Sequence, residues 1–201
     1  LLEDKSHYLT LTSPPFKDKE VPEPYYDWLD NVLGQLTRIS NVVLMFNSST
    51  RLKDICRRYD PRRILMWDKK VSLGAYRYEP IFVFCNEDVL LDGRGRIWND
   101  CIAVPPIVGR YQQVPYQNPV KLYEQLLRYF PDAQTVLDPF GGAGTTMMAC
   151  QNLAKSCLMI EINPQYCETI KINCFGKTFL DRQVEYSYKS YGKDINKNIQ
   201  N

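Results

Sequence analysis

The stretch from residue 134 to residue 162 restricts the fold more than any other. Gln134 to Leu137 reads as a short strand, Asp138 to Gly144 as a glycine loop, Thr145 to Leu153 as a helix and Ser156 to Ile162 as a second strand. A strand, a helix and a strand within about 30 residues form a parallel crossover, with the helix packed on one face of a sheet. The rest of the chain repeats the alternation. His7 to Thr12, Asn41 to Phe46, Arg63 to Trp67 and Tyr78 to Cys85 read as strands, and NVVLMF has the continuous apolar character of a strand buried on both faces. Helical spacing runs through Tyr25 to Ile39 (Trp28, Leu29, Val32, Leu36, Ile39), Leu52 to Tyr59, Asn118 to Phe130 with Pro119 in its first turn, and Pro164 to Asn173. Lys17 to Pro24 reads as a charged, proline-containing loop. The pattern predicts an α/β fold with a mostly parallel sheet and helices on both faces.

Length and composition bound the rest. At 201 residues, with no internal repeat and no clean boundary, residues 1–201 read as one domain. Residues 86–115 form a short variable insert rich in Gly, Pro and polar residues, and 176–201 a polar tail. Hydrophobic residues at 44% and charged residues at 24% are the balance of an ordinary globular protein. No apolar run approaches ~20 residues, so no membrane span is expected. The single histidine, His7, would have to serve any Ser-His-Asp triad or multi-histidine metal site. Seven cysteines contain no CxxC pair, so no metal site is expected, and their odd number points to a reducing, intracellular compartment. Nothing reads as a signal peptide. The first residue is Leu, which reads as a fragment or the ordered part of a longer chain.

Glycines after a strand let backbone approach a ligand closely. The loop Asp138-Pro139-Phe140-Gly141-Gly142-Ala143-Gly144-Thr145-Thr146 lacks the lysine of a phosphate-binding GxxxxGK[ST] loop. Gly142 and Gly144 fit the start of a dinucleotide GxGxxG, but Met147 stands at the third glycine. Phosphate is therefore disfavoured. Two acids remain, Asp138 before the loop and Glu161 at the end of the next strand. A carboxylate at the second strand end can accept bonds from both ribose hydroxyls. An acid in the first loop suits either an ammonium group or a network that organises the loop. Together they suit a nucleoside with an amino-acid arm, such as S-adenosylmethionine. Without a ligand, the loop would be a tight strand-to-helix turn.

A second unusual loop is Ser13-Pro14-Pro15-Phe16. Two prolines make a stiff segment whose carbonyls cannot pair within it. The Pro14 carbonyl and the Ser13 hydroxyl are then two acceptors beside the flat face of Phe16. That set suits a planar base with an exocyclic amine, read by stacking and edge hydrogen bonds after flipping from a duplex. Alone, the segment would pass for an exposed proline turn.

In combination, Thr12 to Phe16, Asp138 to Thr146 and Glu161-Ile162-Asn163-Pro164 resemble the amino-methyltransferases of DNA, and their order resembles the β-class. Residues 64–69 and 78–81 look like that family's middle strands, and Asn118-Pro119 with Leu122 and Leu126 like the helix before the cofactor strand. The resemblance spans roughly residues 7–173. It implies a Rossmann-like fold and methyl transfer from S-adenosylmethionine to a flipped base in double-stranded DNA. It implies catalytic roles for Ser13, Pro14, Pro15 and Phe16. It implies cofactor contacts from Asp138, Pro139, Phe140, Gly141, Gly142, Gly144, Thr145, Thr146, Glu161, Asn163 and Pro119. Serine in this position accompanies N4-cytosine methylation more often than N6-adenine methylation, so cytosine is favoured and adenine is the alternative. A cytoplasmic setting in a bacterium, archaeon or virus is also implied. An RNA-directed enzyme, a non-catalytic partner subunit and a homodimer stay open. Two departures stand out: Asn118 replaces the family's usual lysine, and the insert at 86–115 is short for a target-recognition region.

Net charge is only +2, but it is uneven. Residues 51–70 hold eight basic and three acidic side chains, +5, leaving 17 basic and 20 acidic residues elsewhere, −3. Arg57, Arg58, Arg62, Arg63 and Lys69, with Arg94 and Arg96 in the insert, are the candidate phosphate contacts. The plain alternative is a solvated helix face.

Overall fold

A computed structural model describes residues 2–16, 21, 24–71, 76–85 and 99–176. Seven strands form one sheet: β1 (His7–Thr12), β2 (Ser40–Phe46), β3 (Arg63–Asp68), β4 (Tyr78–Cys85), β5 (Cys101–Ala103), β6 (Thr135–Asp138) and β7 (Ser156–Met159). Their order is β5-β3-β4-β2-β1-β6-β7. Only β4 is antiparallel to its neighbours. Five α-helices join them among the described residues: α1 (Tyr25–Ile39), α2 (Leu52–Tyr59), α3 (Val120–Arg128), α4 (Thr145–Asn152) and α5 (Pro164–Phe175). The Rossmann-like architecture expected from the sequence is present.

The central strands are apolar on both sides because both sides are covered. In β2, alternate residues feed two cores. Val42, Leu44 and Phe46 join Leu9, Leu11, Leu65, Trp67 and Ile81 under α3 and α4. Val43 and Met45 join Phe82 and Phe84 under α1 and α2. Helix α1 buries Tyr25, Leu29, Leu33, Leu36 and Ile39, residues three or four apart on one stripe. Leu33 fills the place expected for Val32, which is half-buried.

Differences from the sequence reading are local. Strand β5, three residues in a region read as irregular, pairs with β3 and is too short to show a period. Helix α3 starts at Val120, with Pro119 extended at its N-cap rather than inside the first turn. Strand β7 ends at Met159, although Ile160 still exchanges backbone bonds with Asp138 and Gly141. The tail from residue 177 and residues 86–98 of the insert lie outside the described residues.

Two glycines mark opposite situations. Gly144 caps α4 at φ +85°, and a Cβ there would lie 2.9 Å from Cys174 Sγ. Gly34 sits exposed within α1, with nothing within 4 Å of a Cβ. Gly34→Ala is expected to stabilise the fold by about 0.5–1 kcal/mol. Gly144→Ala is expected to destabilise it by at least about 1 kcal/mol. Urea unfolding of the two variants checks both signs.

Candidate active site

The crossover from β1 to β2 carries α1 on one face, and that from β6 to β7 carries α4 on the other. Between β1 and β6 the strand order therefore reverses direction. At such a switch point the loops beyond the strand ends diverge into a crevice. The loops of Ser13–Phe16 and Asp138–Gly144 leave the sheet at this place.

Asp138 joins them. Its carboxylate is 3% exposed. Oδ1 accepts from the Thr12 hydroxyl at 2.7 Å and from the Phe140 amide at 3.1 Å, and Oδ2 accepts from the Thr146 hydroxyl at 2.5 Å. One side chain thus holds the end of β1, the glycine loop and the first turn of α4. Of the two roles the sequence leaves open for this acid, these bonds are those of a loop organiser. Burial raises its pKa, the three hydrogen bonds oppose the rise, and the Glu161 charge adds to it.

The loop itself turns on glycine. Gly141 donates to the Ile160 carbonyl at 2.9 Å, and Gly144 to the Gly141 carbonyl at 2.8 Å. Gly142, at φ +53°, presents its amide to Glu161 Oε2 at 2.7 Å. Glu161 Oε1 accepts from the Asn163 amide at 2.7 Å, and the Asn163 side chain caps α5. A Cβ on Gly142 would meet nothing nearer than the Phe140 carbonyl at 3.9 Å, so the space over the loop is open. The Phe140 ring meets Trp28 of α1 edge-on, centroids 5.8 Å apart. Asn118, where the resembling family has lysine, is buried. It donates to the Tyr123 hydroxyl at 3.1 Å and accepts from Thr145 at its carbonyl at 3.2 Å. It bridges α3 to α4, next to buried Pro119.

On the other side of the crevice, Pro14 is buried and Ser13, Pro15 and Phe16 are half-buried. Among the described residues, neither Ser13 Oγ nor the Pro14 carbonyl takes a hydrogen bond. The Phe16 carbonyl accepts from Arg51 Nε at 3.1 Å, and the guanidinium lies 3.7 Å from the centre of the Tyr25 ring. Arg51 was not foreseen as a site residue. Its place just beyond β2, at the same sheet edge as Ser13, is the signal that could have found it. His7 stands at the opposite end of β1, where burial lowers its pKa.

The basic residues do not converge on this crevice. Arg57 and Arg58 lie in the last turn of α2, and Arg58 forms a two-pronged pair with Asp30 of α1, at 2.9 and 2.5 Å. Arg62 and Arg63 stand at the start of β3, about 20 Å of strand from its site end. Arg63 pairs with Asp100 at 2.6 Å. Lys69 follows the far end of β3, at the site edge. Arg94 and Arg96 lie outside the described residues. Among the described residues no His, Cys, Asp and Glu cluster could hold a metal ion.

Asp138→Ala strands two hydroxyls and an amide, and is expected to cost about 3 kcal/mol in urea unfolding. Asp138→Asn keeps the shape, and is expected to cost about 1 kcal/mol or less. Because the folded pKa of Asp138 is raised, its contribution is full below the unfolded carboxylate value and is lost as pH rises through the folded one. Asp138→Asn should flatten that part of the stability–pH curve.

Residues 87–172 match the family model of the N6/N4-type DNA methylases. The Type II methyltransferase M.HpaI of Haemophilus parainfluenzae is 41% identical over 58 residues, 28% of this chain and 18% of that protein. The match thus spans less than a fifth of the curated relative. Among solved structures, the PvuII DNA methyltransferase (cytosine-N4-specific) superposes with a TM-score of 0.64 at 16% identity, over 84% of this chain and 79% of that one. TTHA0409 of Thermus thermophilus, complexed with S-adenosyl-L-methionine, gives 0.61 at 20%, over 86% and 87%. The M1.HpyAVI–SAM complex gives 0.59 at 18%, over 84% and 89%. At these identities the structural likeness is one of fold. Over residues 87–172, and on that fold, the chain is similar to the N6/N4-type DNA methylases.

Proposed function

We propose that the chain transfers the methyl group of S-adenosylmethionine to the exocyclic amine of a base flipped from double-stranded DNA, with N4 of cytosine as the target. The observation that carries this reading is the juxtaposition at the switch point. Two acceptors without partners among the described residues, Ser13 Oγ and the Pro14 carbonyl, face a glycine loop tied to the same strand end by Thr12 and Asp138.

The cofactor fits the residues present. The Glu161 carboxylate at the loop repels a phosphate and suits a ligand with hydroxyls. Glu161, beside the open space over Gly142, would take the ribose hydroxyls, and the backbone of 141–144 would line the approach. Asn163, Thr145, Thr146 and Pro119 would hold that wall through α3, α4 and α5. Bound there, S-adenosylmethionine supplies a methyl group on an electrophilic sulfonium.

The chain's own work is on the amine. The lone pair of an exocyclic amine is conjugated into the ring and is a poor nucleophile. Ser13 Oγ and the Pro14 carbonyl would each accept one N–H, pulling the nitrogen toward tetrahedral geometry with its lone pair facing the donor. Fixing that alignment supplies much of the acceleration. The N–C bond would form as the S–CH3 bond breaks to a neutral thioether, and the surplus N–H proton would leave along one of these two hydrogen bonds to water. The buried Pro14 and the Arg51–Phe16 bond keep the two acceptors in place. Ser13 is small, which suits the pyrimidine.

The reading is tested by incubating the chain with labelled cofactor and DNA, then analysing nucleosides. N4-methylcytosine is expected. N6-methyladenine would reassign the base, and preferential transfer to RNA would reassign the substrate. C5-methylcytosine alone, or no transfer where cofactor binding is demonstrated, would sink the proposal. Ser13→Ala is expected to lower kcat by about 100-fold with cofactor Kd unchanged.

A further inference from the structure

The site edge of the sheet carries an ion pair, its carboxylate buried and its ammonium half-buried, that the methyl-transfer reading leaves unused. Strand β4 runs against its neighbours, so its first residues lie where β1, β2 and β3 end. Glu79, 8% exposed, stands there opposite Trp67. Lys69 Nζ donates to Glu79 Oε2 at 2.7 Å and lies 4.8 Å from the centre of the Trp67 ring.

Strand alternation sets the face. Ile81 and Val83 of β4, Leu65 and Trp67 of β3, Leu44 and Phe46 of β2, and Leu9 and Leu11 of β1 share one core. Two residues on from Ile81 and from Leu11, that face reaches Glu79 and Ser13. Tyr123, buried at this edge, donates no bond to either carboxylate, Asp138 or Glu79, and accepts from Asn118 at 3.1 Å. Its ring stacks on Phe46, centroids 5.2 Å apart, and burial, with the charges of Asp138 and Glu79 added, holds its pKa high. The pair therefore borders the same crevice as Ser13. Stability alone gives little reason for it, since burying the Glu79 carboxylate costs desolvation that an apolar side chain would avoid.

We propose that Lys69, positioned by Glu79, reads the far edge of the target base, donating to O2 and N3 of cytosine while Ser13 and Pro14 hold the amine. The inference rests on the methyl-transfer reading. From β4, whose Glu79 holds the Lys69 ammonium, to β1 is two strand spacings, about 10 Å. One pyrimidine ring with a hydrogen bond of about 3 Å at either edge spans that distance. An ammonium has three N–H donors, of which Glu79 Oε2 takes one. Cytosine sets two acceptors side by side at that edge, whereas adenine sets one acceptor beside a C–H. A cation held there therefore selects cytosine, and Glu79 aims it without touching the base.

The test uses the full chain and a duplex containing the site methylated in the nucleoside assay. The target cytosine is replaced by 2-thiocytosine, which keeps the amine and puts a weaker acceptor at position 2. The unaltered protein is expected to lose about tenfold in kcat/KM on the thio-base. Lys69→Met is expected to be about tenfold slower on cytosine, to show no further loss on the thio-base, and to keep its cofactor Kd. Because that variant leaves Glu79 without its partner, the pair Lys69→Met with Glu79→Gln is measured beside it, with the same expectation. An equal thio-base penalty in the unaltered and doubly substituted proteins overturns the inference and leaves methyl transfer standing. Transfer confined to N6 of adenine does the same. No transfer to any base, with cofactor bound, overturns both readings.

Discussion

The crevice depends on one carboxylate. Asp138 accepts from Thr12, Phe140 and Thr146 at once, and these three belong to a strand end, a loop and a helix. Backbone pairing alone would leave the two loops adjacent but free to move against each other. With the carboxylate in place, the glycine loop cannot shift without dragging Thr12, the residue before Ser13. The Ser13–Phe16 loop and the glycine loop therefore keep a fixed separation across the crevice. Burial makes the knot costly to ionise, and three donors offset that cost.

Charge is sorted along the same crevice. Asp138 and Glu161 lie on the side of the glycine loop, and cationic side chains lie on the side of β2 and β3. Arg51 braces Phe16 from there, and Lys69 sits at the end of β3. The positive segment that stands out in the sequence is, in the fold, divided between two places. Arg58 and Arg63 are engaged by Asp30 and Asp100 on outer surfaces, while Arg51 and Lys69 reach the site edge. A run of charge along a chain says nothing of which members share a face.

Much of this was legible beforehand for definite physical reasons. Strands buried on both faces announce themselves as apolar runs, as at Val42–Phe46, and a left-handed turn announces itself as glycine, as at Gly142 and Gly144. The two site loops stood out because Pro-Pro and Gly-Gly-Ala-Gly are conformationally extreme. What escaped notice has no local signature. Strand β5 is three residues long and is defined by its partner β3, 35 positions earlier at Met66↔Cys101. Arg51 looks like one more basic residue until β2 sets it beside Phe16. The role of Asp138 depended on Thr12, 126 residues away in sequence. The antiparallel direction of β4, which brings Glu79 to the site edge, is set by its pairing with β3, Trp67↔Glu79, and not by its own composition.

The seam between β1 and β6 has a consequence for chain order. Strands β1 and β2 with α1 form one half, with the Ser13–Phe16 loop. Residues 135–175 form another, with the glycine loop. Across the seam they meet through the pairs Leu9↔Val136 and Thr10↔Leu137 and through the Thr12–Asp138 bond. None of these links is covalent, and none depends on which half is synthesised first. Exchanging the two halves along the polypeptide would rebuild the same crevice from the same contacts. The geometry of the crevice belongs to the seam and not to the order of the two loops in the sequence.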